Sequence, residues 1–304
     1  MVSKKVILVV FCTFFLSKGK SSYEKVVYGK DNRRDLFELS NERWLENSKG
    51  IAALILKEKI KKIRGESDIV QLKTEAMDEV CEDERFYDQE QIASCSGFLV
   101  GKDLLVTAGH CVESLKDCKK NKWVFGFDRS EKDKDYTKVL KKDIYECVEI
   151  IDHALDESTD FALLRLDRDV VDREPLAIRE EGKVKTGERI YLGGHPSGLP
   201  LKMSGHAWVR KNRYKKYFSA NLDSFEGNSG GPIFNSNGHF VEGILVRGED
   251  DYIWNEKKDC FKVKKCLDWA CSGEEATRMS AIKKLKDLIN EESFYGQSGR
   301  FRQR

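Results

Sequence analysis

A serine between glycines is the first candidate for chemistry in this sequence. Ser229 lies in Ser224–Pro232, SFEGNSGGP, which packs three glycines around it. Ser-Gly and Gly-Pro pairs are common in turns, so the stretch fits either a turn serine or a nucleophile on a sharply bent backbone. A serine hydroxyl is a poor nucleophile unless a histidine removes its proton and a carboxylate orients that histidine. The choice between a turn serine and a nucleophile therefore depends on whether the sequence contains such a histidine and carboxylate, and in what order.

The order of the partners excludes one class of hydrolase. Residues 227–231 satisfy the GxSxG pattern of α/β-hydrolases, whose triad follows the order Ser, acid, His. After Ser229 the only histidine is His239, and no acidic residue lies between them. The Gly-Gly-Pro sequence is also a poor start for the helix that follows such a serine. The α/β-hydrolase interpretation therefore fails.

The order His, Asp, Ser is present instead. His110 ends an apolar stretch that begins at Leu104, and Asp160 opens another that runs to Leu166. A carboxylate beside a buried strand can orient a histidine and stabilise its imidazolium form. Taken singly, each residue also fits a structural role, as a satisfied polar residue or a turn cap. Together they predict a catalytic triad of His110, Asp160 and Ser229.

The flanking residues resemble the three catalytic motifs of chymotrypsin-like serine peptidases. The motifs are TAGHC at residues 107–111, DFALLRL at 160–166 and GNSGGP at 227–232. The resemblance covers residues 92–290 and implies an all-β fold of two six-stranded antiparallel β-barrels, with the site in the cleft between them. It also implies a disulfide between Cys95 and Cys111, which lie 16 residues apart, and an oxyanion hole formed by the N–H groups of Gly227 and Ser229.

A second resemblance lies near the N-terminus. Val26–Arg33 is similar to the start of mature glutamyl endopeptidases, a secreted bacterial branch of the same family. Asn228 also suits that branch, because trypsin-like zymogens carry an aspartate at this position. The resemblance implies cleavage after Lys25, which would place the new amino group of Val26 near the specificity pocket.

The resemblance also indicates which residues contact the substrate side chain. These specificity residues are Asp223, Ser224, Leu245, Val246, Arg247 and Gly248. Asp223 occupies the position at which trypsins hold the carboxylate that pairs with Lys or Arg, although a structural role on backbone N–H groups is equally open. Leu245 replaces a histidine of the glutamyl branch, and Arg247 could attract an acidic residue instead. We favour a preference for basic residues and leave the alternative open.

Composition excludes some other functions. The 304 residues carry 54 Lys and Arg against 52 Asp and Glu, a net charge of +2. So small a charge gives no electrostatic reason to bind nucleic acid or an anionic membrane. We expect polypeptide substrates, a monomer, and no metal or cofactor.

The N-terminus predicts export. Residues 1–22 combine two lysines, an apolar run of 11 residues from Val6 to Leu16 and small residues, which is typical of a signal peptide and too short for a membrane anchor. One of the nine cysteines, Cys12, lies in this segment. An even number remains, which in an exported chain indicates disulfides rather than a zinc site. These are Cys81, Cys95, Cys111, Cys118, Cys147, Cys260, Cys266 and Cys271.

Short apolar runs between turn residues predict β-strands from residue 92 to 272, and Gly50–Leu56 predicts one more. Met279, Ile282, Leu285 and Ile289 recur at helical spacing and predict a C-terminal amphipathic helix. The expected organisation is a signal peptide (1–22), an N-terminal segment with a charged insertion (23–91), a trypsin-like serine peptidase domain (92–290) and a polar tail (291–304). The function predicted is that of a secreted serine endopeptidase that acts through an acyl-enzyme. The alternatives are a catalytically silent binding module and an esterase with the same triad.

Overall fold

A computed structural model describes residues 26–248 and 250–289. The expected signal peptide and polar tail lie outside the described residues. No helix in the described part of the chain is long and apolar enough to cross a membrane.

The described residues form mostly β-strands. In chain order the strands are β1 (Val27–Tyr28), β2 (Arg33–Arg34), β3 (Ile51–Leu56), β4 (Ile60–Lys62), β5 (Ile69–Leu72), β6 (Cys95–Leu99), β7 (Leu104–Thr107), β8 (Asn121–Phe125), β9 (Lys138–Leu140), β10 (Ile144–Tyr145), β11 (Cys147–Asp156), β12 (Thr159–Leu166), β13 (Arg189–Gly194), β14 (Lys202–Lys211), β15 (Tyr217–Ala220), β16 (Pro232–Asn235), β17 (Val241–Arg247), β18 (Tyr252–Asn255), β19 (Cys260–Val263), β20 (Lys265–Cys266) and β21 (Glu274–Arg278). The α-helices are α1 (Glu42–Ser48), α2 (Leu115–Lys120) and α3, whose described part spans residues 283–289. Short 3₁₀ helices lie at Leu36–Glu38, Lys57–Lys59, Gly109–Cys111, Lys141–Asp143, Pro196–Gly198 and Met279–Ala281.

The first large sheet is a curled half-barrel in the order β10-β8-β3-β6-β7-β12-β11, antiparallel throughout. Its inner face buries Trp123, Phe125 and Leu164. Strand β3 lies in the middle of this sheet because its run of apolar residues is buried on both faces. The half-barrel therefore includes chain on the N-terminal side of residue 92.

The second sheet closes on itself. Its order is β13-β16-β17-β21-β15-β14, and β14 pairs again with β13, so six strands form a complete barrel. Strand β2 is added at the outer side of β14. Closure leaves no unpaired strand edge within the barrel, and the interior holds apolar side chains such as Phe218, Ile233 and Leu245. The predicted all-β fold of two antiparallel barrels is confirmed, with one barrel closed and the other curled.

The two barrels pack against each other through one apolar cluster. It contains Phe98 and Phe161 from the half-barrel and Tyr191 and Ile244 from the closed barrel. Leu285 of α3 is buried in the same cluster, so the predicted C-terminal helix packs on the junction between the barrels. Residues that end strands at this junction are held in fixed relative positions.

All eight cysteines of the described residues are paired. The disulfides are Cys81–Cys260, Cys95–Cys111, Cys118–Cys147 and Cys266–Cys271. The pairing of Cys95 with Cys111 is the one that the resemblance implies. The Cys81–Cys260 bond connects the charged insertion to β19, in the C-terminal half of the chain.

A buried polar cluster joins the insertion to the second barrel. The Lys202 ammonium donates to Asp35 Oδ1 at 2.5 Å and to Gln89 Oε1 at 2.7 Å, and all three side chains are buried. Burial lowers the pKa of Lys202 to about 8, while the Asp35 carboxylate opposes that shift. Separating a buried ion pair would leave an uncompensated charge in the interior, which strongly destabilises a protein. This cluster therefore holds the N-terminal segment and the insertion against the body of the protein.

Candidate active site

His110 and Asp160 form an oriented pair at the junction of the barrels. The ring Nδ1 of His110 lies 2.8 Å from Asp160 Oδ2. Asp160 Oδ1 accepts the backbone N–H groups of Gly109, at 2.6 Å, and His110, at 3.2 Å. A carboxylate only accepts hydrogen bonds, so Nδ1 carries the hydrogen and Nε2 is left as the basic nitrogen. The Asp160 side chain is 0% exposed and the His110 side chain 12%, so the carboxylate is dry and the imidazole remains accessible.

The local backbone explains this geometry. Strand β7 ends at Thr107, and the 3₁₀ helix Gly109–Cys111 then turns His110 towards β12. A side chain at residue 109 is excluded, because a Cβ on Gly109 would collide with the Ala154 carbonyl oxygen and would lie 3.0 Å from the Phe161 carbonyl oxygen. On the other side, the Asp160 N–H donates to Thr277 Oγ1 of β21 at 3.2 Å, which links the carboxylate to the second barrel.

Ser229 lies on the disulfide beside His110. Its carbonyl oxygen is 3.7 Å from Cys111 Sγ and accepts the Ser96 N–H at 2.8 Å. A ring nitrogen of His110 and the sulfurs of Cys95 and Cys111 all lie within 4.8 Å of one another. The structure thus brings the three predicted triad residues to one place. Both sulfurs belong to the disulfide, so this group of residues cannot ligate a metal through them.

Ser96 holds the nucleophile loop and was missed by sequence reasoning. Its hydroxyl donates to the Gly227 carbonyl at 2.7 Å and accepts the His195 N–H at 2.9 Å, while its N–H donates to Ser229. It is 0% exposed. The adjacent Cys95 was the only signal in the sequence, because the partners of Ser96 lie about a hundred residues or more away along the chain.

The direction of one predicted oxyanion donor, the Gly227 N–H, follows from a neighbouring hydrogen bond. The Glu226 carbonyl accepts the Ser197 N–H at 2.6 Å, and the described peptide bonds are trans. In a planar trans peptide the N–H points opposite to the carbonyl, so the Gly227 N–H is directed away from Ser197. Gly227 has a φ of +87°, and a Cβ there would lie 2.9 Å from the Gly198 nitrogen, so both conformation and space require glycine.

Three of the other four histidines have structural partners, and the fourth, His206, is exposed. His153 Nε2 lies 3.0 Å from the Gly109 carbonyl, and Tyr191 contacts the His239 ring. His195 is buried with its Nδ1 3.0 Å from the Leu199 carbonyl, and burial lowers its pKa to about 3. Within the described ranges, His110 is the histidine whose ring lies within hydrogen-bond distance of a carboxylate.

Asp223 is buried against the N-terminal segment. Oδ1 accepts the Tyr28 N–H at 2.7 Å, and Oδ2 accepts the Asn32 N–H at 2.8 Å. The Ser224 N–H donates to the Val26 carbonyl at 3.3 Å, which places the segment that begins at Val26 against the predicted specificity residues. The expected cleavage involves Lys25, which lies outside the described residues. The geometry therefore gives Asp223 an anchoring contact, and its role in substrate recognition stays a prediction.

We expect Asp223 to make stability depend on pH. Burial raises the pKa of Asp223 from 3.8 to about 7, against the opposing hydrogen bonds from Asn32 and Tyr28. Between pH 4 and pH 7 the folded protein keeps a proton that the unfolded chain loses, so the free energy of unfolding falls as pH rises. The free energies of unfolding of the wild type and of Asp223→Asn are measured by urea denaturation at each pH. The difference between the two proteins should change by roughly 2–4 kcal/mol across this pH window. A difference that is the same at pH 4 and pH 8 would contradict the assignment.

The remaining predicted specificity residues lie in β17 and directly after it, next to the loop that holds Ser229. The Gly230 N–H donates to the Leu245 carbonyl at 2.8 Å, and the Leu245 N–H donates to Gly231 at 3.0 Å. Leu245 and Val246 are buried. Arg247 donates to the carbonyls of Glu157, at 3.0 Å, and Asp156, at 3.4 Å, so its guanidinium is held on the turn between β11 and β12.

Glu274 is a buried carboxylate among these residues that the sequence did not single out. The Ser224 hydroxyl donates to Glu274 Oε2, and a Cβ on Gly248 would collide with the same carboxylate. Glu274 is 0% exposed. It is the first residue of β21, and an acidic residue at the start of a strand carries no distinctive sequence signal.

Comparisons with known proteins found one matching family model and similar solved structures. Residues 95–242 match the family model described as a trypsin-like peptidase domain. A solved Glu endopeptidase, in complex with MPD, is 16% identical, with 88% of this chain and 98% of that chain covered and a TM-score of 0.49. Neuropsin, a serine protease expressed in the limbic system of mouse brain, is also 16% identical, with 80% and 95% covered and a TM-score of 0.49. A search of curated proteins found no match. The residues matched by the family model include His110, Asp160 and Ser229.

Proposed function

We propose that the chain is a secreted serine endopeptidase of the trypsin-like family, supported by the match of residues 95–242 to the trypsin-like peptidase domain. The observation that carries the proposal is the buried Asp160 carboxylate, whose oxygens are directed at His110 Nδ1 and at two backbone N–H groups. This arrangement fixes the imidazole with Nε2 as its base. Four disulfides support an extracellular location, since disulfides persist in oxidising compartments.

In the proposed mechanism His110 Nε2 removes the Ser229 hydroxyl proton as Oγ attacks the substrate carbonyl carbon. The Asp160 carboxylate stabilises the imidazolium that forms. The N–H groups of Gly227 and Ser229 receive the developing oxyanion, and because Ser96 and Gly198 fix the loop, these donors need little reorganisation.

The acyl-enzyme forms when the carbon–nitrogen bond breaks. The His110 imidazolium gives its proton to the leaving amine, and the acyl group stays on Ser229 Oγ as an ester. Water then enters, His110 removes its proton, and the hydroxide attacks the ester carbonyl. Collapse of this second intermediate releases the carboxylic acid and restores the Ser229 hydroxyl.

Digestion of a denatured protein mixture tests the proposal. The secreted protein, with its N-terminus sequenced, should produce new internal termini that mass spectrometry identifies. His110→Ala should produce none, because Ser229 then has no base. Trimming only from chain ends would contradict endopeptidase action. An intact mixture, with correct N-terminal processing, would favour the binding module, and hydrolysis of matched esters without peptides would favour the esterase.

A further inference from the structure

The charged insertion forms a second concave surface on the protein. Strands β4 and β5 of the insertion pair with β9 in a small antiparallel sheet. Between this sheet and the β8–β10 side of the half-barrel lies an open trough with a volume of about 1,020 Å³. None of the residues that line the trough belongs to the predicted triad or to the predicted specificity residues. The trough is therefore a surface that the proposed peptide hydrolysis does not use.

One part of the trough lining is apolar. It consists of Ile60 of β4, Ile69 and Val70 of β5, Leu140 of β9 and Ile144 of β10. Ile69 and Leu140 lie directly opposite each other on paired strands, and Leu140 is 42% exposed. Apolar side chains that are gathered in one open concavity, rather than scattered singly over a surface, are typical of a binding site.

The rest of the lining carries an excess of positive charge. Seven Lys or Arg side chains line the trough against four carboxylates. Two of these carboxylates are paired, Glu146 with the buried Lys122 and Asp167 with Arg168. Four exposed lysines have no ion-pair partner among the described residues, and these are Lys57, Lys61, Lys62 and Lys141. An anionic partner with apolar groups therefore complements the trough, although the whole chain is nearly neutral.

Strand β4 favours a polypeptide as that partner. It is an outer strand of its sheet, and β5 is its one strand neighbour among the described residues. All three of its residues, Ile60–Lys62, line the trough. An outer strand presents backbone N–H and C=O groups with which an extended chain can pair, whereas a glycan or an acyl chain cannot continue the ladder. A flat bilayer would meet the rim of such a concavity and leave its apolar lining uncovered.

We propose that the trough binds an extended acidic segment of a partner protein. Carboxylates of the segment pair with the four unpaired lysines, and its apolar side chains cover Leu140 and Ile144. Single exposed ion pairs contribute little, so binding depends on several lysines acting together with the apolar contact. The trough shares no residue with the predicted catalytic site, so the inference goes beyond the proposed peptidase function and does not depend on it.

The test measures binding to secreted Ser229→Ala, which leaves a peptide probe uncut if the protein is a peptidase. The probe is a short fluorescein-labelled peptide in which glutamates flank leucines, and its fluorescence anisotropy reports binding. We expect saturable binding that weakens at high salt without vanishing, because salt screens exposed ion pairs but not the apolar contact. The same peptide with lysine in place of glutamate should not bind.

Variants of the trough identify where the probe binds. In the same background, Lys61→Glu combined with Lys141→Glu should raise Kd roughly tenfold, because two ion pairs are lost and replaced by repulsion. Lys185→Glu combined with Lys283→Glu is the matched control, since both lysines are exposed and lie outside the trough lining. It should leave Kd within about twofold of the parent protein. Leu140→Ser should raise Kd roughly threefold to tenfold and leave the salt dependence unchanged.

The contrary outcomes are distinct from those of the peptidase proposal, because the measurement needs no hydrolysis. A folded protein that does not bind the acidic peptide overturns the inference. Equal weakening by the control pair also overturns it, since the attraction would then come from charge anywhere on the surface. An unchanged Kd in Leu140→Ser contradicts the role of the apolar lining. Binding of heparin or of phosphatidylglycerol vesicles through the same lysines, without binding of the peptide, would replace the polypeptide partner by a sulfated glycan or a lipid surface.

Discussion

Replacing Ser229 by alanine is expected to lower kcat about 10⁶-fold. In the proposed mechanism Ser229 Oγ forms the acyl bond, and alanine has no oxygen to take its place. Two contacts that hold residue 229 are made by its backbone carbonyl, which accepts the Ser96 N–H at 2.8 Å and lies 3.7 Å from Cys111 Sγ. Alanine keeps them, so the fold and substrate binding should persist.

The measurement is steady-state hydrolysis of a fluorogenic peptide, with thermal unfolding recorded for the same preparations. Ser280→Ala is a matched control, because Ser280 is exposed and lies in the 3₁₀ helix Met279–Ala281. It should retain wild-type activity. Ser229→Ala with a normal melting temperature and more than about 1% of wild-type kcat would contradict the assignment, since loss of such a nucleophile costs far more.

Asp160→Asn is expected to lower kcat about 10⁴-fold. The carboxylate accepts three N–H groups, from the His110 ring and from the backbone of Gly109 and His110. An amide has one oxygen and one NH₂, so one of these donors must face another donor. Either the imidazole rotates, or it takes the tautomer with hydrogen on Nε2, and in both cases Ser229 loses its base.

This variant is tested by the separate effects on kcat and KM. The loss should lie in kcat, because Asp160 is fully buried and acts through His110 rather than on the substrate. Asp156→Asn is the matched control, since this exposed carboxylate lies on the same hairpin and accepts from Ser158. Less than a tenfold loss in Asp160→Asn would show that the carboxylate does not control the histidine.

Local signals in the sequence were enough to predict the fold and to propose the triad. His110 ends an apolar run, Asp160 opens another, and Ser229 lies among glycines. The strand predicted at Gly50–Leu56 was also visible as an apolar run, and the structure places it at Ile51–Leu56. Its central place in the half-barrel was not predictable from local pattern, because strand order depends on pairing with β6 and β8, which lie far along the chain.

The specificity residues show where local reasoning ends. The sequence singled out Asp223 only by its distance from Ser229 along the chain. The direction of its carboxylate depends on two backbone N–H groups that lie 191 and 195 residues earlier in the chain. Glu274 approaches Ser224 from 50 residues later. Ser96 likewise contacts Gly227 across 131 residues. Such contacts are set by how the barrels close, and they carry no pattern that a short window of sequence can reveal.

The central claim is that Ser229 is a nucleophile activated by His110 and Asp160. Diisopropyl fluorophosphate phosphorylates such serines without needing a specificity side chain, and peptide mapping by mass spectrometry locates the adduct. The account predicts one adduct, on Ser229, in the secreted wild type and none in His110→Ala. A folded, processed wild type that takes up no reagent, or that carries the adduct on another residue, would contradict it.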